Sequence, residues 1–166
     1  MNSVVALIRP SFNHDQGTPV SVQGELVIIP YRIQQDFNPT LPLTDAQALI
    51  HACVLSRHHD GRVRERQVER LTRAQAPWVA PFVAQLCGEY VVEILHAVER
   101  NSGLMNREIY GEFFSRNSTY MALIRQRMIS YWNCYYRGQH RNYVGFRLFE
   151  LFREWQASYP KIGAKS

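Results

Sequence analysis

Histidine and carboxylate side chains are grouped at two places where their spacing suits metal binding or proton transfer. His58, His59 and Asp60 are consecutive and precede a run of arginines in the stretch SRHHDGRVRERQVERL. Farther along, Glu93 and His96 are three residues apart, the spacing that places both ligands on one helical face in carboxylate-bridged di-iron bundles. These residues support the hypothesis of a metal-dependent enzyme, with further ligands available from His51 and Glu89.

Two features of the pattern count against that hypothesis. A di-iron bundle needs two Glu-x-x-His pairs and two further glutamates, whereas the sequence has one pair. In addition, Glu89, Glu93, His96 and Arg100 recur at helical spacing opposite an apolar face. A stripe of that composition is typical of a solvated surface with weak ion pairs. The sequence therefore predicts neither a metal nor any other cofactor.

A structural interpretation accounts for more of the same stretch. His58 and His59 follow a predicted helix, where imidazole groups can bond to free carbonyls and interact well with the helix dipole. Asp60 is suited to accept backbone N–H bonds at the start of the next helix, and Gly61 permits a sharp turn. The stretch is therefore interpreted as the corner between two packed helices.

The elements around this corner predict a mainly α-helical single domain with a short N-terminal β-hairpin. Residues 1–40 are expected to form a hairpin, an extended arm and a linker, with Gln23-Gly24 as the tight turn. Residues 41–160 form the helical body, and 161–166 a frayed tail. The predicted helices are 44–56, 62–74, 79–99 with a break at Gly88, 107–115, 118–136 and 143–158.

The corner resembles that of a HEAT-type helical repeat, in which a turn containing aspartate is followed by a Val-Arg pair. Here the matching residues are Asp60 and then Val63-Arg64, and residues 77–101 resemble a second, degenerate unit. The resemblance implies a helical-repeat module that binds a protein or peptide partner. Two units are fewer than a solenoid needs, so the later helices are expected to cover the open end.

Four short segments are also similar to a group of uncharacterised bacterial proteins. The segments are RHHDGRVRE, APWVAPFV, GEYVVEI and RQRMISYWNCYYR. This similarity implies a bacterial and cytosolic protein, and no particular activity.

Composition narrows the class of protein further. Three cysteines without CxxC spacing indicate reduced, buried thiols in a cytoplasmic protein. No apolar run approaches the roughly 20 residues that a membrane span requires, and the N-terminus has no basic start or cleavage site typical of a secretory signal.

The chain carries a net charge of +5, and residues 100–166 hold eleven basic residues against four acidic ones. An anionic partner is therefore compatible with the charge distribution.

The basic C-terminal part raises the possibility of nucleic-acid binding. Arginines alternate there with aromatic residues, a composition suited to phosphate pairing and base stacking. Helical phase, however, assigns most of the aromatics to the core, including Tyr131 and Tyr135, and leaves a basic link that Glu150 and Glu154 can neutralise. The candidate residues for binding an anion or a partner are Arg57, Arg62, Arg64, Arg66, Arg125, Arg137, His140 and Arg141.

Motifs of known catalytic sites are missing from the sequence. It contains no GxSxG, no P-loop and no GxGxxG, and it predicts no catalytic residue. The favoured function is a non-enzymatic helical-repeat interaction module for a protein or peptide. A nucleic-acid-binding protein and a metal-dependent enzyme are the two alternatives.

Overall fold

The computed structural model describes residues 17–33, 42–139 and 142–159. In these ranges a two-stranded antiparallel sheet precedes seven α-helices, which confirms the mainly α fold with a short N-terminal hairpin. The strands are β1 (Gly17–Val22) and β2 (Glu25–Pro30). The helices are α1 (Asp45–Leu55), α2 (Gly61–Arg73), α3 (Ala80–Leu86), α4 (Val92–Asn101), α5 (Arg107–Arg116), α6 (Ser118–Tyr131) and α7 (Val144–Ala157). The predictions for the first 16 residues, for residues 34–41, which include most of the predicted linker, and for His140, Arg141 and the C-terminal tail lie outside the described residues.

The β-hairpin packs one face on the helices and leaves the other exposed. Its turn is the predicted Gln23-Gly24 pair, and both residues have positive φ values, of 51° and 89°, as a two-residue turn between twisted strands requires. Val20 and Ile29 are buried on the inner face, whereas Leu26 on the outer face is 75% exposed. Successive side chains of the strands thus alternate between the core and the outer face.

Asn117, between α5 and α6, fastens the hairpin to the helical body. The backbone N–H of Ser21 donates to Oδ1 of Asn117 at 2.7 Å, and Nδ2 of Asn117 donates to the Ser21 carbonyl at 2.8 Å. The side-chain amide therefore pairs with β1 as a neighbouring strand would.

The predicted helix starts are confirmed at the first two helices. Thr44 and Gln47 form a reciprocal capping box before α1. Asp60 accepts from the backbone N–H of Arg62 at 2.8 Å and so caps α2.

The predicted break at Gly88 is also confirmed, because α3 ends at Leu86 and α4 begins at Val92. A Cβ at position 88 would lie 2.9 Å from Cγ2 and 3.2 Å from the carbonyl oxygen of Ile124. Glycine is thus needed here for the close approach of α6. The residues that follow it, Glu89 and Tyr90, belong to no helix.

The end of α6 differs from the sequence-based expectation. The regular helix stops at Tyr131 and continues as a π-helical turn over Trp132–Tyr136. The extra residue in a π-turn changes the helical phase. Tyr135, predicted to face the core, is consequently 69% exposed.

Two of the three cysteines agree with the prediction of buried thiols, and the third does not. Cys53 and Cys87 are buried in the core, and burial raises the pKa of each thiol. Cys134 lies in the π-turn and is exposed. Among the described helices, none has the length and apolar content needed to cross a membrane.

Helices α5 and α7 approach each other closely at Gly111. A Cβ there would lie 2.7 Å from the Trp155 carbonyl oxygen and 2.7 Å from the Tyr159 ring. We expect Gly111→Ala to lower the free energy of unfolding by about 1–3 kcal/mol, because the two backbones must separate. Urea denaturation measures the change. Gly103→Ala is the matched control, since its Cβ would meet nothing within 4 Å; an equal loss in both variants would contradict the close-approach explanation.

Candidate functional site

Glu89 is the centre of a buried cluster of charged side chains. It is only 3% exposed, and its carboxylate contacts the guanidinium groups of three arginines. The sequence-based expectation that Glu89 lies on an exposed helical stripe is wrong, because the chain is not helical between α3 and α4. We call the group formed by Arg32, Arg57, Arg64 and Glu89 the arginine–glutamate cluster.

Both carboxylate oxygens of Glu89 are fully engaged. Oε1 accepts from Arg32 Nη1 at 2.8 Å and from Arg57 Nη2 at 2.9 Å. Oε2 accepts a very short bond from Arg32 Nη2 and lies 3.4 Å from Arg64 Nη2. The contact with Arg32 is therefore the bidentate pairing that suits a planar guanidinium and a carboxylate.

Arg57 joins the end of the hairpin to the corner between α1 and α2. Its Nε donates to the Pro30 carbonyl at 3.2 Å, and its Nη2 donates to the Tyr31 carbonyl at 3.0 Å. Alongside, the backbone of Ile33 forms a parallel bridge with His58. The chain leaving β2 is thus held against the corner by main-chain and side-chain bonds together.

Arg64 satisfies the free carbonyls of the corner. Its Nη1 donates to the carbonyls of His58 and His59 at 2.7 and 2.8 Å. The sequence predicts that the two imidazoles bond carbonyls at the end of α1, whereas in the structure Nδ1 of His58 accepts from the backbone N–H of Asp60 at 3.0 Å. The corner interpretation holds, with the arginine of the Val-Arg pair in the capping role.

The cluster contains more positive than negative charge. Three arginines surround one glutamate, and Arg57 and Arg64 have side-chain exposures of 1% and 0%. Burial alone would raise the pKa of Glu89, but the charges of Arg57 and Arg32 outweigh it and hold that pKa below its ordinary value. Burial also lowers the pKa of Arg57 to about 10, although the negative charge of Glu89 acts to raise that pKa. A buried cation with so little compensation is costly.

Some N–H donors of the two buried arginines make no hydrogen bond to the described residues. Arg57 Nη1 and Arg64 Nε are buried and have no acceptor among the described residues. Glu89 cannot supply one, because its oxygens already serve three guanidinium groups. The cluster therefore has both net charge and hydrogen-bonding capacity for a further anion.

An exposed surface of tyrosines and arginines adjoins the cluster, and we call it the Tyr–Arg face. The guanidinium of Arg127 lies 4.4 Å from the centre of the Tyr31 ring, a cation–π contact. Arg64 lies 6.0 Å from the centre of the Tyr90 ring on its buried side. Tyr90 is 46% exposed. The face consists of Tyr31, Arg32, Tyr90, Arg127 and Tyr131.

The side chains of this face are held by bonds on several sides. Thr18 donates to the Tyr31 hydroxyl at 3.1 Å, and this bond, together with the charge of Arg127, lowers the pKa of Tyr31 despite partial burial. The Tyr90 and Tyr131 rings are 5.8 Å apart. The face is thus ordered before any partner arrives, which reduces the entropy lost on binding.

The predicted arginine candidates fall into separate places. Arg57 and Arg64 meet in the cluster, whereas Arg62 and Arg66 are exposed and line a groove between α2 and α4. The other two described candidates, Arg125 and Arg137, are exposed on α6 and after the π-turn. Arg147, near the start of α7, donates to the carboxylate of Glu99 at 2.6 and 2.8 Å.

The candidate metal ligands are not brought together. His59 and Glu93 are exposed, His58 is buried at the corner, and Nδ1 of His96 lies 3.8 Å from a carboxylate oxygen of Glu99. Within the part of the chain that the structure describes, no three His, Cys, Asp or Glu side chains form a group that could hold a metal ion.

Sequence reasoning missed most of the site. The Gly88 break was a usable signal for Glu89, since a residue after a helix break need not follow the helical stripe. Arg32, Tyr31 and Arg127 carried no local signal, because only the packing of the segment after β2 against Arg127 of α6 and against the corner brings them close.

Comparison with protein families, with curated proteins and with solved structures finds no match to this chain. The fold and the arginine–glutamate cluster therefore have to be interpreted from their own geometry.

Proposed function

We propose that this protein is a non-enzymatic interaction module that binds an acidic segment of a partner protein or peptide on the Tyr–Arg face. The observation that carries this proposal is the concentration of arginine around Glu89, beside the exposed Tyr90 and the half-buried Tyr31 and Tyr131. Four arginines, Arg32, Arg57, Arg64 and Arg127, lie in or beside a cluster whose acidic member is Glu89. Such a surface attracts negative charge.

The residue types of the face also favour protein recognition. Tyrosine and arginine are enriched among the residues that contribute most to protein–protein binding, and they act best when already ordered. Tyr90 is 46% exposed, and its carbonyl accepts a bond from the Tyr136 hydroxyl at 3.1 Å. The HEAT-like corner of α1 and α2 belongs to this proposal as the support that fixes Arg57 and Arg64.

The reactive groups of the core give no support to an enzymatic function. Cys53 and Cys87 are buried thiols with raised pKa values, and Tyr110 is a buried phenol whose pKa is raised in the same way by loss of solvent. Groups of this kind remain protonated and make poor nucleophiles or bases.

The proposal is tested with dye-labelled peptides of equal length that differ in acidic content, measured by fluorescence anisotropy. We expect the acidic peptides to bind and Arg127→Ala to weaken that binding about tenfold or more. Arg125→Ala is the matched control, because it removes the same charge from α6 but lies two residues away, on another side of the helix.

Two results would contradict the proposal. One is equal peptide binding by wild type and Arg127→Ala. The other is binding of a single-stranded oligonucleotide, with no peptide binding, that is lost in Arg125→Ala and Arg137→Ala; this result would support the nucleic-acid alternative.

A further inference from the structure

We infer that the arginine–glutamate cluster is also a binding site for a small oxyanion of the phosphate type, held by the buried arginines and admitted by movement of Arg32. This inference concerns the interior of the cluster, whereas the proposed peptide binding uses the Tyr–Arg face; Arg32 belongs to both. It starts from buried donors for which the described residues supply no acceptor.

The two buried guanidinium groups are close together and incompletely bonded. Arg57 and Arg64 contact the two oxygens of the same carboxylate, at 2.9 and 3.4 Å. Arg57 Nη1 and Arg64 Nε nevertheless have no acceptor among the described residues. Buried donors on charged groups are normally satisfied, and an anion satisfies both the bond and the charge.

The charge of the cluster favours a dianion. Three arginines and Glu89 leave an excess of two positive charges. A phosphate carrying two negative charges neutralises this excess, whereas a monoanion such as acetate leaves one charge uncompensated. Arginine is also the side chain whose planar fork best matches phosphate oxygens.

Arg32 provides the route of entry. Its side chain is 35% exposed, while those of the other two arginines are 1% and 0% exposed. It follows β2 and lies outside regular secondary structure, so it can turn outward without disturbing a helix. When it leaves Glu89, that carboxylate keeps its contacts with Arg57 and Arg64, and the Arg32 guanidinium becomes free to close over the anion.

The test is a titration of the full chain with inorganic phosphate at constant ionic strength, followed by thermal unfolding and calorimetry. We expect saturable binding, with Tm rising by roughly 5–10 °C when phosphate reaches about 100 times its Kd. Sulfate should act similarly, and acetate much less. Because phosphate and sulfate also stabilise proteins by being excluded from their surfaces, the variants decide the question.

In Arg32→Gln we expect phosphate to bind at least about tenfold more weakly, through loss of a charge-assisted contact. Arg73→Gln removes the same charge from a 60% exposed side chain whose partner is Glu69, and it should bind phosphate as wild type does. An equal, unsaturating rise of Tm in all three proteins would overturn the inference.

A measurement on the unmodified protein keeps the inference testable if Arg32→Gln does not fold. Nitrogen-15 spectra report the Nε–H groups of buried arginines, and phosphate should shift those of Arg57 and Arg64 saturably. Unchanged resonances would overturn the inference. Phosphate binding with no peptide binding, or the reverse, separates it from the proposed function, because Arg57 and Arg64 belong to the cluster alone and Arg127 to the Tyr–Arg face alone.

Discussion

Glu89→Gln is expected to lower the free energy of unfolding by about 3–5 kcal/mol, the cost of removing one partner from a buried ionic cluster. Glutamine keeps the shape of the side chain but removes the negative charge that, among the described residues, the three arginines share. Its amide nitrogen is moreover a donor placed among donors. For a chain of this length, the loss corresponds to a fall in Tm of roughly 6–20 °C.

The matched control for this prediction is Glu93→Gln. Glu93 is an exposed glutamate in the first turn of α4, four residues along the chain. Its replacement should change stability by no more than about 0.5 kcal/mol, as is usual for surface positions. Chemical denaturation of both variants measures the difference, and similar losses in the two would show that the cluster contributes little.

The same residue makes stability depend on pH in a defined direction. Burial alone would raise the pKa of Glu89, but neighbouring arginine charges hold it below the ordinary value. Its contribution is therefore complete above the unfolded-state pKa and is lost as pH falls through the native one. Glu89→Gln should accordingly lose less stability than wild type on acidification, and parallel pH profiles would contradict this assignment.

The features that could be predicted from the sequence are those fixed by residues close together in the chain. The capping box at Thr44, the cap at Asp60 and the turn at Gly24 each depend on contacts within about four residues. The spacing of hydrophobic residues likewise predicted most helix ends to within one or two residues of those in the structure. Local bonding and side-chain periodicity are sufficient for such elements.

The candidate site depended on contacts between distant residues and was mostly missed. Arg32 and Glu89 are 57 residues apart in the chain, and no periodicity connects them. Glu89 was misplaced because a continuous helical phase was extended through a glycine that interrupts it. Arg57 and Arg64 were among the predicted binding residues, yet their burial depends on Glu89, which the helical spacing had placed on the surface.

The corner itself gives the second large effect, because Arg64→Met is expected to lower the free energy of unfolding by about 2–4 kcal/mol. Arg64 Nη1 donates to the carbonyls of His58 and His59. No backbone N–H of the described residues donates to either of these two carbonyl oxygens. Each buried acceptor that loses its donor costs about 1–3 kcal/mol, and methionine fills the space of the stem without restoring a bond.

Arg57→Met is the informative comparison, since it removes the same buried charge and should cost only about 1–2 kcal/mol. The Pro30 carbonyl keeps a bond from Gln85 Nε2 at 3.4 Å, and the Tyr31 carbonyl keeps one from Arg32 at 2.7 Å. Glu89 retains its other two arginines in either variant. If Arg57→Met proves as damaging as Arg64→Met, the charge balance of the cluster, and not the satisfaction of the corner carbonyls, governs its stability.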